Sequence, residues 1–349
     1  MKDLYLDNFY KLDLYGKSSK KPYNRGKSFG YQVLGFGSGV AGGGLLPLQR
    51  GIFPFGYSFV YASDSHIYYA TSNLVNDQGI MQADTAAVSG VTAKNQGAGA
   101  TYGGDKAVHA FGNASGGTHN IKNLITNEGV VGANVTGVGT ARLELSAVSF
   151  GVGNALFAFG TTDSGIVNTR NLVNDVGVIA SDASGAGTAS TSRYETSYGG
   201  LSAGTALIAL GSNSGTRNLV SNTGVVATDT TIGNATSRTQ GAGCTFGEDR
   251  GILMSGSANQ SNIVSNTGVI ADDVSFSGTG AISCAACGFG GDKGILGFGN
   301  GGPGGGSRPD LFGLGRTCTI NNSGTVSSDV AQVSGVTGKQ TEQASSFGN

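Results

Sequence analysis

The chain has no tryptophan, four cysteines, five prolines, three histidines and only 12% charged residues in 349. Each scarcity closes off a class. Four cysteines are too few to staple a chain of this length, so a disulfide scaffold is excluded and synthesis in a reducing cytoplasm fits best. Few prolines and sparse charge are the reverse of a disordered composition. The histidines, His66, His109 and His119, form neither HxxH nor HExxH spacing, which leaves a zinc hydrolase without support. Glycine-rich strings such as GDKGILGFGNGG lack the GKS/T ending and the following helix of a phosphate loop. No paired carboxylates stand out for glycoside hydrolysis. The acidic turns Asn76-Asp77, Asn174-Asp175 and Asp272-Asp273 lack EF-hand spacing and read as turn chemistry. The expectation is a protein with no catalytic set, no cofactor and no metal. No run of 18 apolar residues occurs, so no membrane insertion is expected. The start MKDLYLDNFYKLDLYGKSSKK has no apolar core of a signal peptide. A net charge of −1 supplies no global field for nucleic acid or acidic membrane.

What is abundant is glycine, 63 residues, against a usual share of roughly 7%. Between the glycines, short runs of Val, Ile, Leu, Phe and Tyr recur at even spacing, so Gly, Ser, Thr and Asn read as turns between many short strands. Three motifs repeat. A Tyr/Phe-Gly pair occurs at Tyr102, Phe150, Tyr198, Phe246, Phe289 and Phe347, at intervals of 48, 48, 48, 43 and 58 residues. After each of the first five comes an apolar run ending in Gly, as in KAVHAFG and ALFAFG. The third motif is Asn-Leu/Ile-Val/Ile-x-x-x-Gly, starting at Asn73, Asn123, Asn171, Asn218 and Asn262, with a degenerate copy, TINNSGTV, from Thr319. Each unit holds about four short segments, none with a helical period beyond one turn.

Four strands per 40–50 residues is the period of a propeller blade. The main rival, a parallel β-helix, has shorter coils and gives no reason for the ends of the chain to match. They do match. The sequence stops at ASSFGN, a first motif with nothing after it, while QRGIFPFG (49–56) is a second motif with no first motif before it. Building one blade from both ends removes the two apolar faces of an open ring. The expected fold is therefore all-β, a six-bladed β-propeller over residues 49–349, closed by pairing the C-terminal strand with the N-terminal blade.

Within that frame the repeated residues are structural. The HAFG-type run belongs on an inner or second strand, where close backbones favour Gly and Ala. The aromatic of each Tyr/Phe-Gly pair is expected between adjacent blades. Cys284-x-x-Cys287 resembles a redox or zinc half-site, but no second pair lies near it. Cys244 and Cys287 occupy a slot that holds Ala100, Val148, Thr196 and Ser345 in other units, so small-residue packing explains both.

Departures from the repeat are the better functional pointers. The first blade carries FGYSFVYASDSHIYY (55–69) and the last carries NGGPGGGSRPDLFGLGR (300–316). Both read as protruding loops that contact a partner, with Tyr57, Tyr61, His66, Tyr68, Arg308, Asp310 and Phe312 as candidates. The alternative is a tolerated insertion at the seam of the ring. Residues 1–28 hold seven Lys/Arg and three Asp, or +4, which leaves −5 for the remainder. Tyr5, Phe9, Tyr10, Tyr15 and Tyr23 are spaced among those charges and read as anchors of an extended docking arm. A disordered leader remains the alternative, and nucleic-acid binding the weaker one, since no RNA or DNA module surrounds the arm. Residues 29–48 form a Gly-rich lead-in whose YQVLGF segment is a candidate edge strand.

The units Tyr102-Gly-Gly-Asp-Lys106 and Phe289-Gly-Gly-Asp-Lys293, with NLVSNTGVVATDTT and GVGTAR, resemble the kelch-like repeats of marine tailed-phage (cyanophage-type) virion proteins. The resemblance covers about residues 50–349. The unit Leu201–Gly211 lacks the Asp-Lys pair. It implies a structural virion protein made in the host cytoplasm and carried on the particle surface, as tail fibre, spike or capsid decoration. Its partners would be other virion proteins, through residues 1–28, and a host-surface glycan or receptor. A lectin-like propeller with similar pockets between blades is the alternative, and a propeller enzyme a more remote one.

Overall fold

The computed structural model describes residues 49–60, 65–191, 194–198, 204–212, 215–256, 258–278, 280–301, 315–330, 334–341 and 343–348. The docking arm, the lead-in, Tyr61 and the insertion residues Arg308, Asp310 and Phe312 lie outside these. Among the described residues every strand pairing is antiparallel, and the six sheets of three or four strands are arranged as the blades of a β-propeller, with three two-stranded ladders beside them. Inner strands are Ser345–Phe347, Ala98–Tyr102, Ser146–Phe150, Tyr194–Tyr198, Ala242–Phe246 and Ala285–Phe289, for blades 1 to 6. Second strands are Arg50–Val60, Lys106–Ala110, Asn154–Ala158, Thr205–Ala209, Arg250–Met254 and Lys293–Gly297. Third strands are Ser65–Val75, Ile121–Ile125, Thr169–Val173, Thr216–Val220, Gln260–Val264 and Thr317–Ile320.

The chain's two ends do share one sheet. Arg50, Gly51 and Ile52 pair with Phe347, Ser346 and Ser345, so the C-terminal strand is the inner strand of the blade that the N-terminal part builds. Blades 2 to 5 have the expected fourth strand, only two residues long, as at Val135–Thr136. In blades 1 and 6 it shrinks to one bridge, Ser72 to Thr85 and Thr317 to Val330. Exposed outer edges gain little from burial, and this one is the first to fray.

The core is six layers, one between each pair of neighbouring blades. Ala98, Ala100 and Tyr102 of blade 2, for example, meet Ala147, Phe157 and Val173 of blade 3. Ile52, Phe55 and Phe347 meet Ala107, Ile125 and Val131 across the layer between blades 1 and 2. Each layer is thin, so sizes are matched across it. Cys244 faces Gly294 and Cys287 faces Gly51, and a β-carbon on either glycine would run into the sulfur. Both cysteines sit in the slot that the repeat assigns to a small packing residue, and all four cysteines are buried free thiols. Burial raises the Cys244 thiol to about 12.

One contact closes the ring in sixfold repetition. The aromatic ending each inner strand lies on the turn glycine of the next blade's third motif: Phe347 on Gly129, Tyr102 on Gly177, Phe150 on Gly224, Tyr198 on Gly268, Phe246 on Gly324 and Phe289 on Gly79. These glycines have φ of 75° to 88°, and a β-carbon on any of them would fall 2.5–2.9 Å from the ring. Turn geometry and aromatic packing therefore both demand glycine there.

Candidate functional site

The third-motif asparagines Asn73, Asn123, Asn171, Asn218 and Asn262 are wholly buried. Each donates from Nδ2 to the carbonyl nine residues on and to a side chain eleven residues on, as Asn171 does to Ala180 and to Asp182 at 2.8 Å. In three blades a buried cation completes the amide. Lys94 Nζ reaches Asn123 Oδ1 at 2.8 Å, Arg142 reaches Asn171 at 2.6 Å and Arg238 reaches Asn262 at 2.6 Å. The same cations lie on a ring of the preceding blade, Lys94 on Phe55 and Arg142 on Phe111, at 4.6 and 4.2 Å. Lys339 lies likewise on Phe298, at 5.0 Å.

Arg142 is kept from water between an amide oxygen and a ring, which both favour its charge. Burial lowers Arg142 to about 10 even with Asp182 beside it. Burial works against the charge of Asp182, but hydrogen bonds from Thr140 and Asn171 and the nearby Arg142 hold that carboxyl below its usual range. In those three blades the layout staples the segment entering the inner strand to the third strand of the same blade. Two of the cations also meet a carboxylate, Arg142 that of Asp182 and Arg238 that of Asp273.

Blade 6 departs from this as a set. Ala281 stands where the cation would be, Cys318 replaces the asparagine, and Ser255 replaces the ring of the blade before. Cys318 Sγ donates to Asp329 Oδ1 at 3.1 Å, and Arg316 reaches the same carboxylate at 2.8 Å from the other side. A small cavity lined by Ala281, Phe298, Arg316, Cys318 and Asp329 marks the missing cation.

The exposed departure is in blade 1. Its second and third strands are 11 residues each, where the other blades use four or five. They outrun the ring as a two-stranded hairpin on the face that carries the connections between second and third strands. The insertion after Asn300 leaves neighbouring blade 6 at the equivalent connection. In the hairpin, Tyr57 pairs with Tyr68 and Phe59 with His66, so four rings share one face. His66 is exposed. Its ring lies 5.2 Å from Tyr57, 5.1 Å from Phe59 and 6.2 Å from Tyr68.

The base of this ladder is fixed. Tyr57 exchanges backbone hydrogen bonds with Gln340, and its hydroxyl donates to Gln340 Oε1 at 2.9 Å. The Tyr68 hydroxyl accepts a long bond from Asn113 of blade 2. On the opposite face the hydroxyls of Ser58 and Tyr69 are 2.8 Å apart. Of the residues proposed from sequence, Tyr57, His66 and Tyr68 are thus brought together, and Phe59 joins them. Phe59 was legible from strict alternation, since it is two residues from Tyr57.

Among the described residues, no group of three or more His, Cys, Asp or Glu is placed to hold a metal ion. No known protein family and no curated protein matches the chain.

Proposed function

We propose that this chain is a bacteriophage virion structural protein, a tail fibre, spike or capsid decoration, that docks through residues 1–28 and presents its propeller for host or glycan contact. The repeat wording supports the virion setting. The observation that carries the presenting role is the aromatic ladder of exposed His66 and half-buried Tyr57, Phe59 and Tyr68, on the one described hairpin that outgrows the sixfold pattern. Rigid aromatic faces on a fixed base bind with little ordering cost, and they suit the C–H faces of a sugar or the apolar patch of a receptor. The reading includes no catalytic step.

A lectin reading with six pockets between blades has less support, because the layers between blades are filled by apolar side chains, staples and aromatic–glycine contacts. Glycan contact is therefore assigned to the hairpin. Mass spectrometry of purified particles tests the virion setting, and absence of the chain from them rejects it. Binding of the purified ring to host cells, before and after Tyr68→Ala with His66→Ala, tests the surface. The expected outcome is loss of at least tenfold in cell binding with the ring still folded by circular dichroism, and equal binding by the variant rejects the hairpin.

A further inference from the structure

The joint between the chain's ends is built unlike the other five blades. Only three residue pairs hold the last strand to Arg50–Ile52. The segment leading into it is polar yet buried, with Lys339, Gln340, Thr341, Gln343 and Ser345 all inside. Gln343 occupies a position that is Ala98, Ser146, Tyr194, Ala242 or Ala285 in the other inner strands. Both of its amide atoms lack a hydrogen-bond partner.

Beneath this strand lies His109 on the second strand of blade 2, with no exposure at all. Its Nε2 is 2.8 Å from Ser345 Oγ, and Nδ1 has no partner. A β-carbon on Gly99 would collide with the imidazole, so that strand contributes only backbone there. Blade 1 brings Phe55, 6.4 Å away, and the third strand of blade 2 brings Asn123 opposite His109. The closing strand brings Gln343 and Ser345. The charge that acts on His109 is that of Lys94, which acts on His119 as well, and both ring nitrogens of His119 are unpartnered. No carboxylate is among the groups acting on either ring.

We propose that this joint is an acid-responsive latch, in which a proton taken up by His109 releases Ser345–Phe347 from Arg50–Ile52 and uncovers the layer between blades 1 and 2. In the closed ring the imidazole is neutral. A proton from solvent would make the imidazole a buried cation beside a cationic lysine, whereas the opened joint hydrates it. Burial, with Lys94 adding to it and Gln343 working against it, pushes His109 down to about 3, and burial with Lys94 pushes His119 to about 4. The sign follows. Above the ordinary histidine value neither state takes the proton, and below it the open state does first. Opening then grows about tenfold per pH unit down to the closed-state value.

Hydrogen exchange on the full chain, corrected for the intrinsic pH dependence of exchange, reads the opening of residues 343–348 against Thr205–Ala209 of blade 4. From pH 7 to pH 5 the opened fraction at 343–348 is expected to rise about 25-fold relative to blade 4. His109→Gln is expected to flatten that slope, and His119→Gln to preserve most of it. An unchanged relative protection, or the same slope in His109→Gln, overturns the latch. Should His109→Gln fail to fold, the unsubstituted chain decides by NMR. His109 must become charged only as the 343–348 amides lose protection, and a charged His109 under a protected strand overturns the proposal.

Discussion

Gly224→Ala puts the aromatic–glycine contact to a quantitative test. Gly224 has φ +75°, and a β-carbon there would lie 2.5 Å from the Phe150 ring and 2.7 Å from Leu172. Two costs add. A left-handed backbone with a β-carbon costs roughly 1–2 kcal/mol, and overfilling a packed layer costs roughly 1–3 kcal/mol, for a total of about 2–5 kcal/mol. Gly233 separates the two. It lies in the same blade at φ +71°, with nothing within 4 Å of the added carbon. Gly233→Ala should therefore lose only the backbone part. Urea unfolding followed by circular dichroism measures both variants against the parent. Phe150→Leu should cost less in the Gly224→Ala background than alone, since the smaller side chain relieves the overlap. If Gly224→Ala is no worse than Gly233→Ala, or the two substitutions simply add, the ring closure does not rest on this contact.

Removing the buried guanidinium with Arg142→Ala should cost roughly 3–5 kcal/mol, because Asn171 Oδ1 and the Phe159 carbonyl lose their donor inside the fold. Adding Asn171→Cys, the arrangement of blade 6, should recover part of that loss, and strict additivity in urea unfolding would refute the coupling. Lys94, lowered by burial to about 7, predicts a pH effect of the opposite sense to acid stabilisation. Between pH 7 and 10.5 the unfolded chain holds a proton on Lys94 that the folded chain has released, so stability should rise by roughly 1 kcal/mol per pH unit. Lys94→Met should remove that increment from unfolding curves at pH 7, 8.5 and 10. The four buried thiols should resist a disulfide reagent at pH 8 in the native chain and all react in denaturant. Early reaction of Cys287 alone would report opening beside Gly51.

The sequence carried the ring but only half of its chemistry. Spacing of the Tyr/Phe-Gly pairs sets six inner strands, and the unpaired motif at 49–56 against ASSFGN sets the closure that Arg50–Ile52 and Ser345–Phe347 make. Both signals are local in sequence or strictly periodic, which is what makes them readable. The staple was in view too, as Thr92-x-Lys94, Thr140-x-Arg142, Thr236-x-Arg238 and Thr337-x-Lys339. Yet charge in such a string reads as solvated surface, and its meaning depends on asparagines 24 to 29 residues away. The turn asparagines Asn76 and Asn174 act as turn caps, each accepting backbone N–H groups two and four residues on, as their spacing suggests. In the hairpin, composition pointed to Tyr57, His66 and Tyr68, but only register shows that they share a face with Phe59.

Two departures from sixfold order converge on one residue, and that convergence links presentation to closure. Gln340 belongs to the buried polar segment that carries the closing strand, between Lys339 and Thr341. It also holds Tyr57 by two backbone bonds and a side-chain bond, 283 residues away in the chain. A joint whose loosening spreads from Ser345 to Gln340, against the Thr341–Ser283 and Lys339–Gly299 backbone bonds, would free the ladder's base. A two-stranded hairpin without such an anchor is marginal in water, so its aromatic face would lose its fixed geometry as the ring opens. Closure of the ring and order in the hairpin would then be one equilibrium, read at Gln340. A substitution there, Gln340→Ala, should loosen both together. Exchange at 57–59 and at 345–347 should rise in parallel, and a rise at only one of them would separate the two.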